Sequence, residues 1–304
     1  MTVNAKSLAW SAAALLLLLS ILSPFNVVSS FLIMTPFVVL YTMMRPGAFA
    51  AHVVPIAVAA YLLAGSFGPV VLTLGLFFLI PSIVMGHLYK KGTAARTVLL
   101  IGIAVILAQL LVELALFSWL FDIDFSAELQ SILVDNMKQL ETNGMFEAGW
   151  ATKSAAAFAD AIVDAMPMLL LMSAFLFTIV THGLSRRALR TVGIQAPAMP
   201  QAKTWMMPRS LVLYYLVATI ASFALTEDSG GYWTIAIANL IPILQFLFVI
   251  QAIGFVFFIA DAKRWPRFAP FLLCVPILLF PQPLFLVGML DVAFSLRRFF
   301  VKEQ

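Results

Sequence analysis

Charge is scarce in this sequence. Asp, Glu, Lys and Arg make up 11% of 304 residues, against roughly 25% in a typical soluble domain, which excludes an ordinary water-soluble fold. Cysteine is nearly absent too. The single Cys274, inside an apolar run, has no partner for an intrachain disulfide or a thiolate metal cluster. There is no GxxxxGKS/T phosphate loop and no HExxH helix, and GSFG at 65–68 is not the GxSxG turn that carries a hydrolase nucleophile. The expectation is a protein that is not an enzyme, has no cofactor and does not itself hydrolyse ATP. Its net charge of +4 informs orientation in a membrane before it says anything of nucleic acid, and no nucleic-acid partner is expected.

Apolar residues are what is abundant, at 63%, with a mean hydropathy of +1.04. About 20 such residues in a row span a bilayer core. Apolar runs occupy 8–22, 27–44, 48–64, 69–89, 97–120, 165–184, 211–225 and 232–260. The remainder, 268–300, is broken by Pro270, Pro276, Pro281 and Pro283, and so forms either one kinked span or a tight pair of short helices. The expected fold is an all-α polytopic transmembrane bundle of about 9–10 hydrophobic segments, a single integral membrane domain over 1–304. Lys6 precedes the first run as in a secretory signal. No small-x-small cleavage site follows, so that run reads as the first span.

Basic residues concentrate in cytoplasmic loops. With the N-terminus inside, 13 of the 18 Lys and Arg residues fall on the cytoplasmic side before 268, and only Lys138 and Lys153 lie opposite. A hairpin at PQP, 281–283, keeps Arg297, Arg298 and Lys302 inside as well, with both termini cytoplasmic. The segment 122–164 then faces outward. It carries eight acidic residues against two lysines, a net charge of −6. Phe125, Leu129, Ile132, Leu133, Met137 and Leu140 recur there at helical spacing, with Asp124 or Ser126 placed to cap the start and NG at 143–144 to end it. A second amphipathic helix is expected on the face Trp150, Ser154, Phe158, Ala161 and Ala165, before Pro167.

Polar residues within the spans are the candidates for function. Glu113 has Gln109 one turn before it on the same face. A carboxyl at this depth must face the bundle or a wet cavity, so the pair reads as a ligand contact or proton carrier, or as a structural hydrogen bond between helices. Asn239, Gln245 and Gln251 interrupt the run at 232–260, with Pro242 between the first two; they line a substrate cavity or glue helices together. Asp291 shares a helix face with Gly288 and Ser295. Arg297 and Arg298 would lie roughly 9 to 10 Å further along a continuous helix, too far for an easy pair, so a partner on another helix is expected for Asp291. His52, His87 and His182 fall near helix ends, where they converge as a metal site or simply cap interfaces; no carboxylate or thiol accompanies them at ligand spacing, and no metal is expected.

The run from TPFVVLYTMMRPG to MGHLYKKG, the amphipathic segment leading to Pro167, NLIPILQFLFVIQAIGFVFFIADAKR and the terminal LVGMLDVAFSLRR together resemble the YybS-like family of predicted bacterial membrane proteins of unknown function. The resemblance covers nearly the whole chain. Its most specific part is the Gly-x-x-Asp step with a following basic cluster, here Gly288, Asp291, Arg297 and Arg298. It implies a multi-pass protein of the bacterial cell (inner) membrane. The family is similar in turn, more distantly, to the substrate-binding S components of energy-coupling factor transporters. On that likeness Ala5, Ala9 and Ala13, a small-residue stripe on the first helix, would dock a membrane protein partner, and the chain would be a small-molecule binding or transport component. The competing expectation is a membrane scaffold or assembly factor that binds other proteins through its acidic outer helices or basic inner loop.

Overall fold

The computed structural model describes residues 5–121, 125–143, 145–147, 149–225, 231–266, 268–279 and 281–300. Asp122, Asp124, Gly144 and Lys302 of the expectations above lie outside them, as does Arg267, one of the 13 basic residues counted as cytoplasmic. Twelve α-helices occur among the described residues, and no strand: α1 Ala5–Ser20, α2 Asn26–Met43, α3 Pro46–Leu63, α4 Gly68–Lys90, α5 Ala95–Phe121, α6 Phe125–Thr142, α7 Trp150–Asp164, α8 Met166–Thr191, α9 Ser210–Ala224, α10 Tyr232–Ala262, α11 Ala269–Leu279 and α12 Pro281–Phe294. The chain is an all-α polytopic membrane protein. Among the described residues, six stretches are long and apolar enough to cross a bilayer: α2, α3, Gly65–Lys90, Ala95–Leu116, α8 and α10. Helices α1 and α9 are apolar but shorter, at 16 and 15 residues, about 24 and 22 Å at 1.5 Å per residue. Exposed Phe223, Ile220 and Leu213 on α9 are affordable only against lipid or another apolar surface.

The helices gather into two compact units, one from α1–α5 and α8 beyond Leu169, the other from α6, α7, α9–α12 and the first turn of α8. The first is built around α2. Ile33, Met34, Phe37, Val38, Val39 and Leu40 are all buried there, so over 33–40 this helix is apolar on every side because every side is covered. Its neighbours supply Val71, Phe78 and Met85 from α4 and Leu189 from α8.

The second unit has a smaller apolar core, Leu244, Phe248 and Val249 of α10 with Phe285 and Val292 of α12. Helix α12 runs in the same direction as α10: Gly288 meets Phe248 and Ala252, Asp291 meets Gln251, and Phe300 meets Phe255. Phe271 at the start of α11 packs on Phe257 near the end of α10. The chain therefore leaves α10, doubles back through α11 and returns through α12. With 11 and 14 residues the arms reach about 16 and 21 Å, short of the ~30 Å hydrocarbon core. This is a hairpin of two short arms, and Arg297 and Arg298 finish at the same end of the unit as Lys263. The reversal falls directly before PQP, the expected bend of the hairpin, and Pro281 opens α12 at the position where a helix tolerates a missing N–H.

Outside the spans, α6 and α7 pack together. The buried face of α7 is Ala151, Ala155 and Ala159, not the expected Trp150–Phe158 face. Phe158 is exposed and Trp150 stacks on Phe146. Small side chains let the two helices approach, and the larger residues are left at the margin.

Candidate functional site

Each unit holds a polar constellation that gathers several of the predicted residues. In the first, Gln109 donates from Nε2 to the carbonyl of Phe77, at 3.1 Å, which ties α5 to α4. Its Oε1 is buried and has no partner among the described residues. Glu113, one turn further, is half-buried and borders an open groove of about 450 Å³ between α4 and α5, with Thr73, Leu76, Phe77 and Ile80 on the opposite wall. The glutamate is thus not enclosed on a bundle axis; it faces a lateral groove whose lining is almost wholly apolar. At this depth a charged side chain costs roughly 3 kcal/mol without a partner. A hydrogen-bond donor or a cation on an otherwise apolar molecule in the groove would satisfy the carboxyl group.

The second constellation is a knot of hydrogen bonds at the C-terminal hairpin. Gly288 has no Cβ, which allows α12 to lie directly on the backbone of α10 at Phe248. That close approach places Asp291 against Gln251: the amide Nε2 donates to Oδ2 at 2.6 Å, and Asp291 has no exposed side-chain surface. Arg297 Nε donates to the same oxygen at 3.0 Å. The other two guanidinium nitrogens donate to the carbonyls of Lys203 and Trp205, each at 2.6 Å. Gln251 Oε1 in turn accepts the N–H of Met207, at 2.9 Å. One aspartate, one glutamine and one arginine thereby bind the segment 203–207 to two helices.

This corrects the reading of Asp291 and Arg297 as too far apart to pair. A continuous helix would separate them, but α12 ends at Phe294, Ser295 adopts a left-handed conformation (φ 51°), and the 3-10 turn Leu296–Phe299 folds the arginine back. Ser295 Oγ also accepts from Arg209, at 3.0 Å. Arg298 is exposed and takes no part in the knot.

The remaining predicted residues are dispersed. Asn239 accepts the N–H of Met168 at 3.0 Å and donates to the carbonyl of Asp164 at 2.6 Å, so it pins the junction of α7 and α8 to α10. Gln245 donates to the Tyr215 hydroxyl at 3.3 Å. Ala5 and Ala9 are exposed and Ala13 is half-buried, while α1 turns Ser7, Ala14 and Leu18 inward. His52 is held by Ala48 and Ser7, His182 by the Tyr89 hydroxyl at 2.7 Å, and His87 is exposed. No group of three His, Cys, Asp or Glu side chains suited to a metal occurs among the described residues.

Two contacts had no counterpart in the sequence reading. The Tyr89–His182 pair joins residues 93 apart and leaves no local pattern. Glu141 accepts the N–H groups of Gly149, at 2.7 Å, and Ala151, at 2.9 Å, which caps the start of α7 across the α6–α7 turn. Those two backbone donors hold its carboxyl below the usual glutamate range.

Residues 11–292 match a family described as predicted membrane protein, DUF2232. The chain is also similar to the uncharacterized protein YybS of Bacillus subtilis (strain 168), 29% identical over 136 residues, which is 43% of this chain. The match likewise spans 43% of that relative's length. No solved structure matches, and the likeness to S components gains no support from these comparisons. The matched stretch takes in the groove residues Gln109 and Glu113 and, in the knot, Gln251, Gly288 and Asp291; this chain belongs to the DUF2232 family of predicted membrane proteins.

Proposed function

We propose that this protein is a non-enzymatic binding component of the bacterial inner membrane, with both termini cytoplasmic, and that the groove between α4 and α5 takes a small amphiphilic molecule. The observation that carries this is the placement of Glu113, which has no hydrogen bond or ion pair among the described residues, on the wall of an open and otherwise apolar groove. The ligand class follows from the lining: an apolar body with one amine or hydroxyl to meet the carboxyl group. The amides of α10 are less suited to the task. Asn239, Gln245 and Gln251 already have protein partners. A role in transport would then require a partner for energy, docked on a face such as the exposed Ala5 and Ala9 side of α1.

The test is retention of small molecules through purification from native membranes, measured by mass spectrometry. Glu113→Gln, which keeps hydrogen bonding, should retain a neutral ligand and lose a cationic one by about tenfold or more. Glu113→Leu should lose either. An identical small-molecule profile in wild type and Glu113→Leu would refute the groove as a binding site and leave a scaffold as the better account.

A further inference from the structure

A second recess lies at the other end of the first unit's long helices, away from Glu113 in sequence and in chemistry. It has a volume of about 480 Å³ and is walled by Arg186 and Arg190 of α8, Gly92 of the α4–α5 turn, and Gln195 to Ala198 of the segment that follows α8. The two arginines are four residues apart and so share one face of the helix. Neither guanidinium group forms a hydrogen bond or an ion pair among the described residues.

Capping does not account for these side chains. Helix α8 closes on its own backbone: the N–H of Gly193 bonds the carbonyl of Arg190, at 3.2 Å, and that of Ile194 bonds the carbonyl of Leu189, at 2.9 Å. The end of α4 closes in the same way, through Gly92 to Tyr89 and Thr93 to Leu88, with Gly92 in the left-handed conformation such closures use (φ 65°). The last carbonyls are therefore satisfied and both guanidinium groups are free. The helix dipole contributes about half a negative charge at this end, which two full positive charges outweigh. An arginine fork matches the oxygens of a phosphate in a way that a lysine does not. The position also fits. Both arginines stand in the last two turns of a 26-residue apolar helix, where the hydrocarbon gives way to headgroups, and the recess has room for a phosphate and the glycerol beside it.

We propose that Arg186 and Arg190, with Gln195, form a binding site for a phosphate ester at the membrane surface. The charge pair fixes the phosphate, and Ala196, Pro197 and Ala198 provide the apolar wall against which the rest of the ester lies.

Native mass spectrometry of the full chain in detergent, with phosphatidylglycerol or phosphatidylcholine added, is the direct test. Wild type should retain phosphatidylglycerol over phosphatidylcholine. The double variant R186Q/R190Q should retain it about tenfold less. R187Q is the control for position, because it removes one positive charge from the adjacent exposed site, which does not line the recess, and is read against R186Q and R190Q singly as well as against the pair. The conservative pair R186K/R190K, which keeps the charge and loses the fork, should fall between wild type and the glutamine pair, and it serves as the readout if the glutamine pair fails to fold. A parallel arm adds inorganic phosphate or glycerol 3-phosphate and follows the melting temperature. A rise in wild type that R186Q/R190Q lacks, without lipid preference, assigns the site to a soluble ester. The proposal is overturned if R187Q lowers retention as much as R186Q/R190Q, or if no probe separates R186Q/R190Q from wild type.

Discussion

The two units are held together by different means. In the first, a helix buried on all sides organises a broad apolar core, and many of its buried hydroxyls, such as those of Thr42, Ser82 and Thr178, bond back to their own helix. In the second, the apolar core is small, and residues far apart in sequence are joined by charged and amide side chains: Asp291 to Gln251, Arg297 to Lys203 and Trp205, Asn239 to Asp164. Packing is tolerant of small changes and polar knots are not. A methylene removed from a core costs about 1 kcal/mol, whereas a buried charge left without its partner costs several times more. Sequence change should therefore be borne easily in α2–α5 and poorly around 203–207, 251 and 288–297.

The sharpest way to break this contrast is Arg297→Ala. It strands the buried Asp291 carboxylate and frees two loop carbonyls, at an expected cost of about 3–5 kcal/mol. Trp205, inside the pinned segment, should report early unfolding in denaturant, while Trp10 in α1 reports an unchanged transition. Simultaneous loss of both signals would mean that the units do not differ in this way. A smaller effect is expected from Gly288→Ala. The added methyl group meets the Phe248 carbonyl, and α12 must shift away, for a loss of about 1–3 kcal/mol in chemical unfolding. Stability equal to wild type would show that α12 is free to move on α10.

The smallest effect concerns Glu141, and it is seen through pH. The folded-state carboxyl is held below its ordinary range by the Gly149 and Ala151 amides. Its contribution is therefore present above the ordinary glutamate pKa and is lost as pH falls through the lowered folded value. Amide exchange at the start of α7, corrected for intrinsic rates, should lose protection as the solution is acidified below that range. In Glu141→Gln the same amides should begin less protected and show little further change. An equal acid response in both proteins would remove Glu141 as the cap.

Much of the architecture was readable because bilayer crossing depends on length and apolarity, which a sequence states outright. All six long apolar helices fall on runs identified that way, as does the amphipathic pair α6 and α7. What escaped depends on a single backbone conformation or on distant partners. Nothing near Ser295 announces a left-handed residue, since glycine is the usual choice there, yet that one φ angle brings Arg297 onto Asp291. The face of α7 was misjudged because Trp150 and Phe158 dominate its periodicity, while the contact with α6 selects for small side chains at Ala151, Ala155 and Ala159. The groove was half legible: Glu113 and Gln109 stood out as polar residues in a span, but α5 alone does not reveal that α4 leaves a lateral opening beside them.

The knot also sets a clock on biogenesis. Arg297 emerges from the ribosome 94 residues after Lys203, whose carbonyl it binds, and Asp291 emerges 40 residues after Gln251. Until those late residues arrive, the Gln251 amide lacks its Asp291 acceptor and the carbonyls of Lys203 and Trp205 lack their Arg297 donor. The first unit needs no such wait once α8 is in place. An interruption of synthesis before Arg297 would leave an otherwise inserted protein with one finished half and one open one, its 203–205 carbonyls without their donor.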